Sequence, residues 1–364
     1  MAYQHIEDIV RSRSLTYEQK VMQLAQAAEN LLTVLDIPPD VQQLRDADII
    51  CDLFEGAAPY RPRYVLPDYA KFLAQGSEFL GVAAPGTLED AITALMILYH
   101  HVPSITGFPV YVGALDELLE PFHRDEAATR RELRRFLTWM DGTITDSFCH
   151  ANIGPRETAV GRIILDLERT LQHSVPNLSL LVDDSTPTAF LDAAIGTALA
   201  TAKPSFANHA MFADEFRSPF GIASCYNGLP IGGGAFTLSR LKLGVLAERA
   251  NSVEHFTDHL LPHAADAMLR SMDERVRFLT DESGFFASSF LVREGLIAQD
   301  KFTAMFGMVG LAEAVNNLMT LSGSEARFGH GAEADDLGER IVRQLAKELE
   351  RHRNPLLAAT DGRY

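Results

Sequence analysis

The chain contains no long apolar run, no dense basic face and no paired-cysteine motif, and each absence removes a class of function. No stretch of the 364 residues approaches the roughly 20 apolar positions a bilayer-crossing helix needs. The first eight residues, Met1 to Asp8, offer neither a basic region nor an apolar core, so no secretion signal is expected and a cytoplasmic location follows. Basic residues number 32 against 49 acidic ones, a formal net charge of −17, which argues against nucleic acid or an anionic membrane as a partner. Cys51, Cys149 and Cys225 are an odd number at wide spacing, which excludes a disulfide framework and a Cys-x-x-Cys metal or redox motif. Nor is there a G-x-S-x-G nucleophile elbow.

Hydrophobic residues make up 47% of the chain and charged ones 22%, enough apolar surface for a sizeable core in one large or two smaller domains. Apolar spacing predicts helices over Tyr17 to Leu35 and Val41 to Leu53, a helical region spanning 1–60. The Gly- and Pro-rich stretch from Gly56 to Pro67 reads as the boundary to a main domain over 61–352, with a short tail at 353–364. Thr87 and Asp90 frame a capped helix from Leu88 to Tyr99. Further helices are expected over Ala114 to Phe122, Asp125 to Met140, Thr158 to Leu171, Thr188 to Ala200, Val253 to Phe278, Phe302 to Met319 and Asp335 to Arg351. Strands are expected near Phe148 to Ile153, Leu178 to Val182 and Ser205 to Asn208, and strands alternating with long helices predict an α/β architecture over a central sheet or barrel.

The most unusual stretch is Gly221-Ile222-Ala223-Ser224-Cys225-Tyr226-Asn227-Gly228-Leu229-Pro230, followed by Gly232, Gly233 and Gly234. An apolar approach, a thiol and a Gly/Pro-broken tip predict a strand, a tight loop with Cys225 at its apex, and a returning strand or helix. Cys51 and Cys149 lie in apolar amphipathic runs and are expected to be structural. The triple glycine lacks the Gly-Lys-Ser/Thr of a Walker loop and, with Thr237, the G-x-G-x-x-G fingerprint, but it permits close approach of backbone to a ligand. His150 and Asn152 alternate to one side of a short strand, Asn208-His209 ends another, and strand ends are where barrel enzymes gather pocket groups. Glu313 reads equally as a pocket carboxylate or a helix-surface one. His255, His259 and His263 share a helical spacing, yet Pro262 interrupts it and Phe256 stands where a zincin has glutamate, so a solvated face is expected. Arg130, Arg131, Arg134 and Arg135, interleaved with Glu132, read as a salt-bridged helix face.

Several separate segments together resemble the YjjI family of glycyl radical enzymes: Cys51-Asp52-Leu53-Phe54-Glu55-Gly56, Arg63 to Tyr69, Leu98 to Ser104, His150 to Pro155, Ser224 to Pro230 with Gly232 to Gly234, and Met305 through Asn316. The Cys225 region is also weakly similar to the thiyl-cysteine region of anaerobic ribonucleotide reductase. The resemblance implies a ten-stranded β/α barrel of two half-barrels, with Cys225 on a finger loop inside it. It implies that a glycyl radical, installed by a separate radical S-adenosylmethionine activase carrying a [4Fe-4S] cluster, turns Cys225 into a thiyl radical that takes hydrogen from a small substrate. No cofactor bound directly by this chain is implied. His150, Asn152, Asn208, Asn227, Gly232, Gly233, Gly234 and Glu313 would line the pocket. The family's Arg-Val-Ser/Thr-Gly-Tyr loop, which carries the radical glycine, does not occur here; the sequence ends Thr360-Asp361-Gly362-Arg363-Tyr364, where Gly362 reads as part of a frayed terminus. The expectation is therefore a barrel cut before its radical domain, with the activase, a radical-domain polypeptide and a second copy as partners. Two other readings stay open: a non-catalytic scaffold, and a thiol enzyme pairing Cys225 with a histidine.

Overall fold

The computed structural model describes residues 2–31, 33–52, 60–104, 108–144 and 147–364. Among these, ten strands follow one another: β1 (Ile50–Cys51), β2 (Tyr64–Leu66), β3 (Tyr111–Ala114), β4 (His150–Ile153), β5 (Asn177–Val182), β6 (Ser205–Asn208), β7 (Phe220–Ile222), β8 (Gly228–Pro230), β9 (Gly233–Lys242) and β10 (Phe302–Val309). The chain divides into two compact units, one of residues 1–63, 235–285 and 303–364, the other of residues 64–234 and 286–302. Residues 56–59 of the predicted Gly56 to Pro67 boundary lie outside the described residues, and the first division falls within the remainder, at 63/64.

The second unit is built on a parallel sheet of order β3-β4-β5-β6, in which His150 pairs with Asn177 and Ser179 with Ser205. Parallel neighbours need crossover connections, and helices supply them: Glu126–Thr143 before β4, Ala159–Leu171 before β5 and Thr188–Thr201 before β6. Thr158 caps the second of these through the Gly161 amide at 2.8 Å, and the helix buries Val160, Ile163, Ile164 and Leu167. With helices against it, β4 is buried at every position, which explains its lack of polar–apolar alternation. The α/β class expected from the sequence holds. Strand pairing among the described residues gives three sheets rather than one closed ring.

Antiparallel β7 and β8 form a separate hairpin, with Gly221 opposite Leu229 and Ile222 opposite Gly228. The Tyr226 amide donates to the Ala223 carbonyl at 2.8 Å and the Ala223 amide to Asn227 at 2.9 Å, closing the tip. A Cβ on Gly221 would lie 2.7 Å from the Tyr111 ring, so only glycine lets the hairpin lie this close to β3.

In the first unit β1 runs antiparallel to β9, Ile50 opposite Leu241, in the sheet β1-β9-β10. Three expectations are corrected here. The helix predicted over Val41 to Leu53 ends at Asp46 and the chain turns into β1, because Asp48 takes a left-handed conformation (φ 59°) that breaks the helix. The helix predicted over Phe302 to Met319 is a strand to Val309 and a helix only from Leu311, with Gly310 at φ 80° between them. The tail is not frayed: the Gly362 amide donates to Leu357, its carbonyl accepts from Asn354, and the Tyr364 hydroxyl donates to Asp273. The arginine face is salt-bridged as expected, Arg130 to Glu126 and Asp166, Arg135 to Glu132.

Candidate active site

Cys225 is exposed at the hairpin tip, where the Asn227 side-chain amide donates to its sulfur at 3.4 Å. Cys149 is buried and Cys51 partly so, which leaves Cys225 as the exposed thiol of the three. The apex predicted from sequence is therefore present.

What fixes the hairpin is Asn152. In an antiparallel ladder alternate residues turn their backbone groups away from the partner strand, and Ile222 is such a residue. Its amide donates to Asn152 Oδ1 at 2.9 Å, and its carbonyl accepts from Asn152 Nδ2 at 2.8 Å. Tyr111 adds a third bond, its hydroxyl donating to the same Oδ1 at 3.1 Å. Asn152 and Ile222 are both wholly buried. One side chain of β4 thus substitutes for a strand neighbour and docks the thiol-bearing hairpin on the parallel sheet. Asn152 was expected to face a substrate; its acceptor oxygen and one of its two N–H groups are instead committed to the protein.

His150, two residues earlier, serves the tip. Its Nδ1 accepts the Ser224 amide at 3.3 Å, which places the ring proton on Nε2. That Nε2 is buried without a partner, and the ring packs edge-on to Phe148. His150, Phe148, Tyr111, Ala223 and Asn227 border a cavity of about 30 Å³, room for a single water-sized group. Burial pushes the imidazole down to about 4 from 6.5, so it is neutral at physiological pH.

This depression has a sign. The unfolded chain takes up a proton below pH 6.5 while folded His150 resists until about 4, so its contribution is full above 6.5 and falls between those values. We expect denaturant midpoints to drop as pH falls from 6.5 to 4, by up to roughly 3 kcal/mol of stability from this group. His150→Phe should flatten that slope, and an unchanged slope would place the acid sensitivity elsewhere.

The other expected pocket residues are not all assembled here. Asn208 Oδ1 accepts from the Met211 amide at 3.0 Å, capping the helix His209–Phe216, and borders a different cavity with Asp183 and Leu191. No hydrogen bond among the described residues joins Asn208 to Cys225. Gly232, Gly233 and Gly234 lie past the hairpin base. A Cβ on Gly233 would fall 2.1 Å from the Lys301 carbonyl oxygen, and one on Gly234 2.0 Å from that of Tyr64. Their small size serves backbone packing. Glu313 belongs to the first unit and is exposed on the first turn of the helix Leu311–Leu321.

Sequence reasoning missed Tyr111 and Asp116. Buried Asp116 accepts from the amides of Gly154 (2.9 Å) and Glu117 (2.8 Å) and from the Thr158 hydroxyl (3.3 Å), and so fixes the turn that leaves β4. Burial pushes its carboxyl up to about 7. Neither residue sits in a local motif, and only the fold brings Tyr111 to the hairpin and Asp116 to the turn after β4.

Residues 15–364 match the family described as "Glycyl radical enzyme YjjI-like". The chain belongs to this family. Within it, the YjjI protein of Escherichia coli K12 is 45% identical over 350 residues, covering 94% of this chain and 67% of the relative. A protein of Haemophilus influenzae Rd is 43% identical over 99% of this chain and 71% of its own length; both relatives are described as uncharacterized. Among solved structures, the anaerobic ribonucleotide reductase of Thermotoga maritima with citrate in its active site superimposes with a TM-score of 0.71 at 11% identity, covering 96% of this chain and 75% of the other. The glycerol-bound B12-independent glycerol dehydratase of Clostridium butyricum gives 0.67 at 9% identity, covering 99% and 69%. The YjjI-like chain thus shares the fold of those enzymes.

Proposed function

We propose that this YjjI-like chain carries the hydrogen-abstracting cysteine of a glycyl radical enzyme acting on a small oxygen-bearing molecule. The observation that carries the reading is the exposed thiol of Cys225 on a hairpin docked to the parallel sheet by Asn152. In the proposed cycle a glycyl radical, installed by a radical S-adenosylmethionine activase, takes the hydrogen atom of the Cys225 S–H, leaving a C–H bond at glycine and one unpaired electron on sulfur. That thiyl takes a hydrogen atom from a substrate C–H bond, restoring S–H and leaving a substrate carbon radical. Once the substrate radical has rearranged, it takes the hydrogen atom back from the Cys225 S–H to form a product C–H bond, and the re-formed thiyl takes a hydrogen atom from the glycine C–H, restoring S–H and the glycyl radical. A hydrogen-atom donor needs no thiolate.

The surroundings of Cys225 support this over a Cys–His pair. Among the described residues no histidine bonds the sulfur, and His150 Nδ1 is occupied by Ser224. His150 Nε2–H, the unpartnered donor beside the small cavity, is suited to a substrate hydroxyl or carbonyl oxygen, and the solved glycerol-bound neighbour binds a molecule of that kind.

No Arg-Val-x-Gly-Tyr segment occurs within the 364 residues, so the radical glycine of this proposal is supplied from outside them. Anaerobic treatment of the chain with activase, S-adenosylmethionine and reductant is expected to give no glycyl doublet in electron paramagnetic resonance. Adding the remaining segment of the Escherichia coli relative in trans should produce one. In D2O the thiol becomes S–D, and reversible transfer through Cys225 should replace the glycine hydrogen and collapse the doublet to a singlet. Cys225→Ala should retain the doublet in D2O. Collapse in that variant, or a doublet from the 364 residues alone, would overturn the proposal.

A further inference from the structure

A cavity of about 810 Å³ opens beside Asn152 and Tyr111, at the carboxyl ends of β3, β4 and β5, and all of its lining belongs to the second unit. Its size is that of a small-molecule site, and the carboxyl end of a parallel sheet is where open α/β folds bind ligands. Tyr69, Leu118, Phe122 and Phe220 give it apolar walls, and Tyr111 with Asn152 lies at its floor. The thiol is on the far side of that pair: the hairpin base borders this cavity, while its tip meets His150.

The charged side chains around the cavity differ in their partners. Arg156 pairs with Glu117 at 3.2 Å, His209 bonds Asp183 at 2.8 Å, and Asp68 caps the helix Tyr69–Gln75 through the Lys71 amide at 2.9 Å. Lys301 makes no ion pair among the described residues. Its ammonium stands over Gly232, where a Cβ would come to 3.3 Å of Nζ. An ammonium without an ion pair at an apolar cavity favours an anion with an apolar body, because the walls repay burial of the body and the ammonium attracts the head, while the Asp68 carboxylate is turned to the amide end of its own helix.

We infer that this cavity binds a small organic anion, a carboxylate or phosphate monoester on an apolar body, at a site separate from the Cys225 thiol. The inference does not rest on radical chemistry. Benzoate, phenyl phosphate and neutral benzyl alcohol are suitable probes for saturation-transfer NMR on the full chain. At least one anion should bind about fivefold or more tighter than benzyl alcohol, and whichever binds tighter names the head group. Lys301→Glu should remove that preference. Ala70→Trp and Ala74→Trp, both on exposed positions of the cavity's rim, should each block binding by filling it, so that failure of one to fold leaves the other as the test. Alkylation of Cys225 should leave binding intact. Equal affinity for benzyl alcohol, binding indifferent to Lys301→Glu and to a folded filling variant, or loss of binding on alkylation would each overturn the inference.

Discussion

Replacing Asn152 with leucine is expected to cost about 3–6 kcal/mol of folding stability and to release the Cys225 hairpin from the sheet. Leucine has nearly the same shape, so the cost comes from polar groups and not from a cavity. The Ile222 amide and carbonyl and the Tyr111 hydroxyl all lose their partner, and each buried unsatisfied group costs about 1–3 kcal/mol. Against a total stability on the order of 5–15 kcal/mol that is a large fraction. Asn152→Asp separates the terms, since it keeps both acceptor bonds at Oδ1 but sets a carboxylate oxygen against the Ile222 carbonyl. Denaturant titration should place both variants below the parent, and hydrogen exchange at the Ile222 amide should accelerate. Parent-like stability with a protected Ile222 amide would show that the hairpin is held by packing alone, through Ile222 against Leu181 and Ala207.

That outcome bears on what the sequence could reveal. The alternation of His150 and Asn152 identified two side chains of β4 that matter, and both do adjoin the thiol hairpin. Their roles were not legible, because an amide that binds a substrate and one that binds a backbone strand have the same local pattern. The partner of Asn152 lies 70 residues away. Helices with a capping residue were read well: Thr87 accepts the Asp90 amide at the start of Leu88–Tyr99, and Thr158 that of Gly161. The strand Phe302–Val309 was read as helix because Ala304, Met305 and Met308 are good helix formers, and only sheet pairing overrides that preference. Lys301 carried no signal at all, since whether a lysine finds an ion-pair partner is decided by the fold and not by its place in the sequence.

The glycine run offers the sharpest contrast between a ligand cradle and a packing device, and Gly233→Ala is expected to decide it with a loss of more than about 3 kcal/mol or failure to fold. Gly233 does not occupy the left-handed region, so the penalty is steric: the new methyl would sit 2.1 Å from the Lys301 carbonyl oxygen, and backbone cannot move aside as a side chain can. Gly232→Ala meets only the end of a flexible lysine at 3.3 Å, and its cost of about 1–2 kcal/mol is that of placing alanine at φ 77°. Gly86, with open space where its Cβ would be, is the neutral control. Thermal and denaturant midpoints should therefore rank Gly86→Ala above Gly232→Ala above Gly233→Ala. A cradle for substrate predicts the opposite signature, in which all three chains fold with similar midpoints and only ligand binding or hydrogen transfer at Cys225 suffers. The stability ranking separates the two without knowledge of the substrate, because it reads the backbone contact directly.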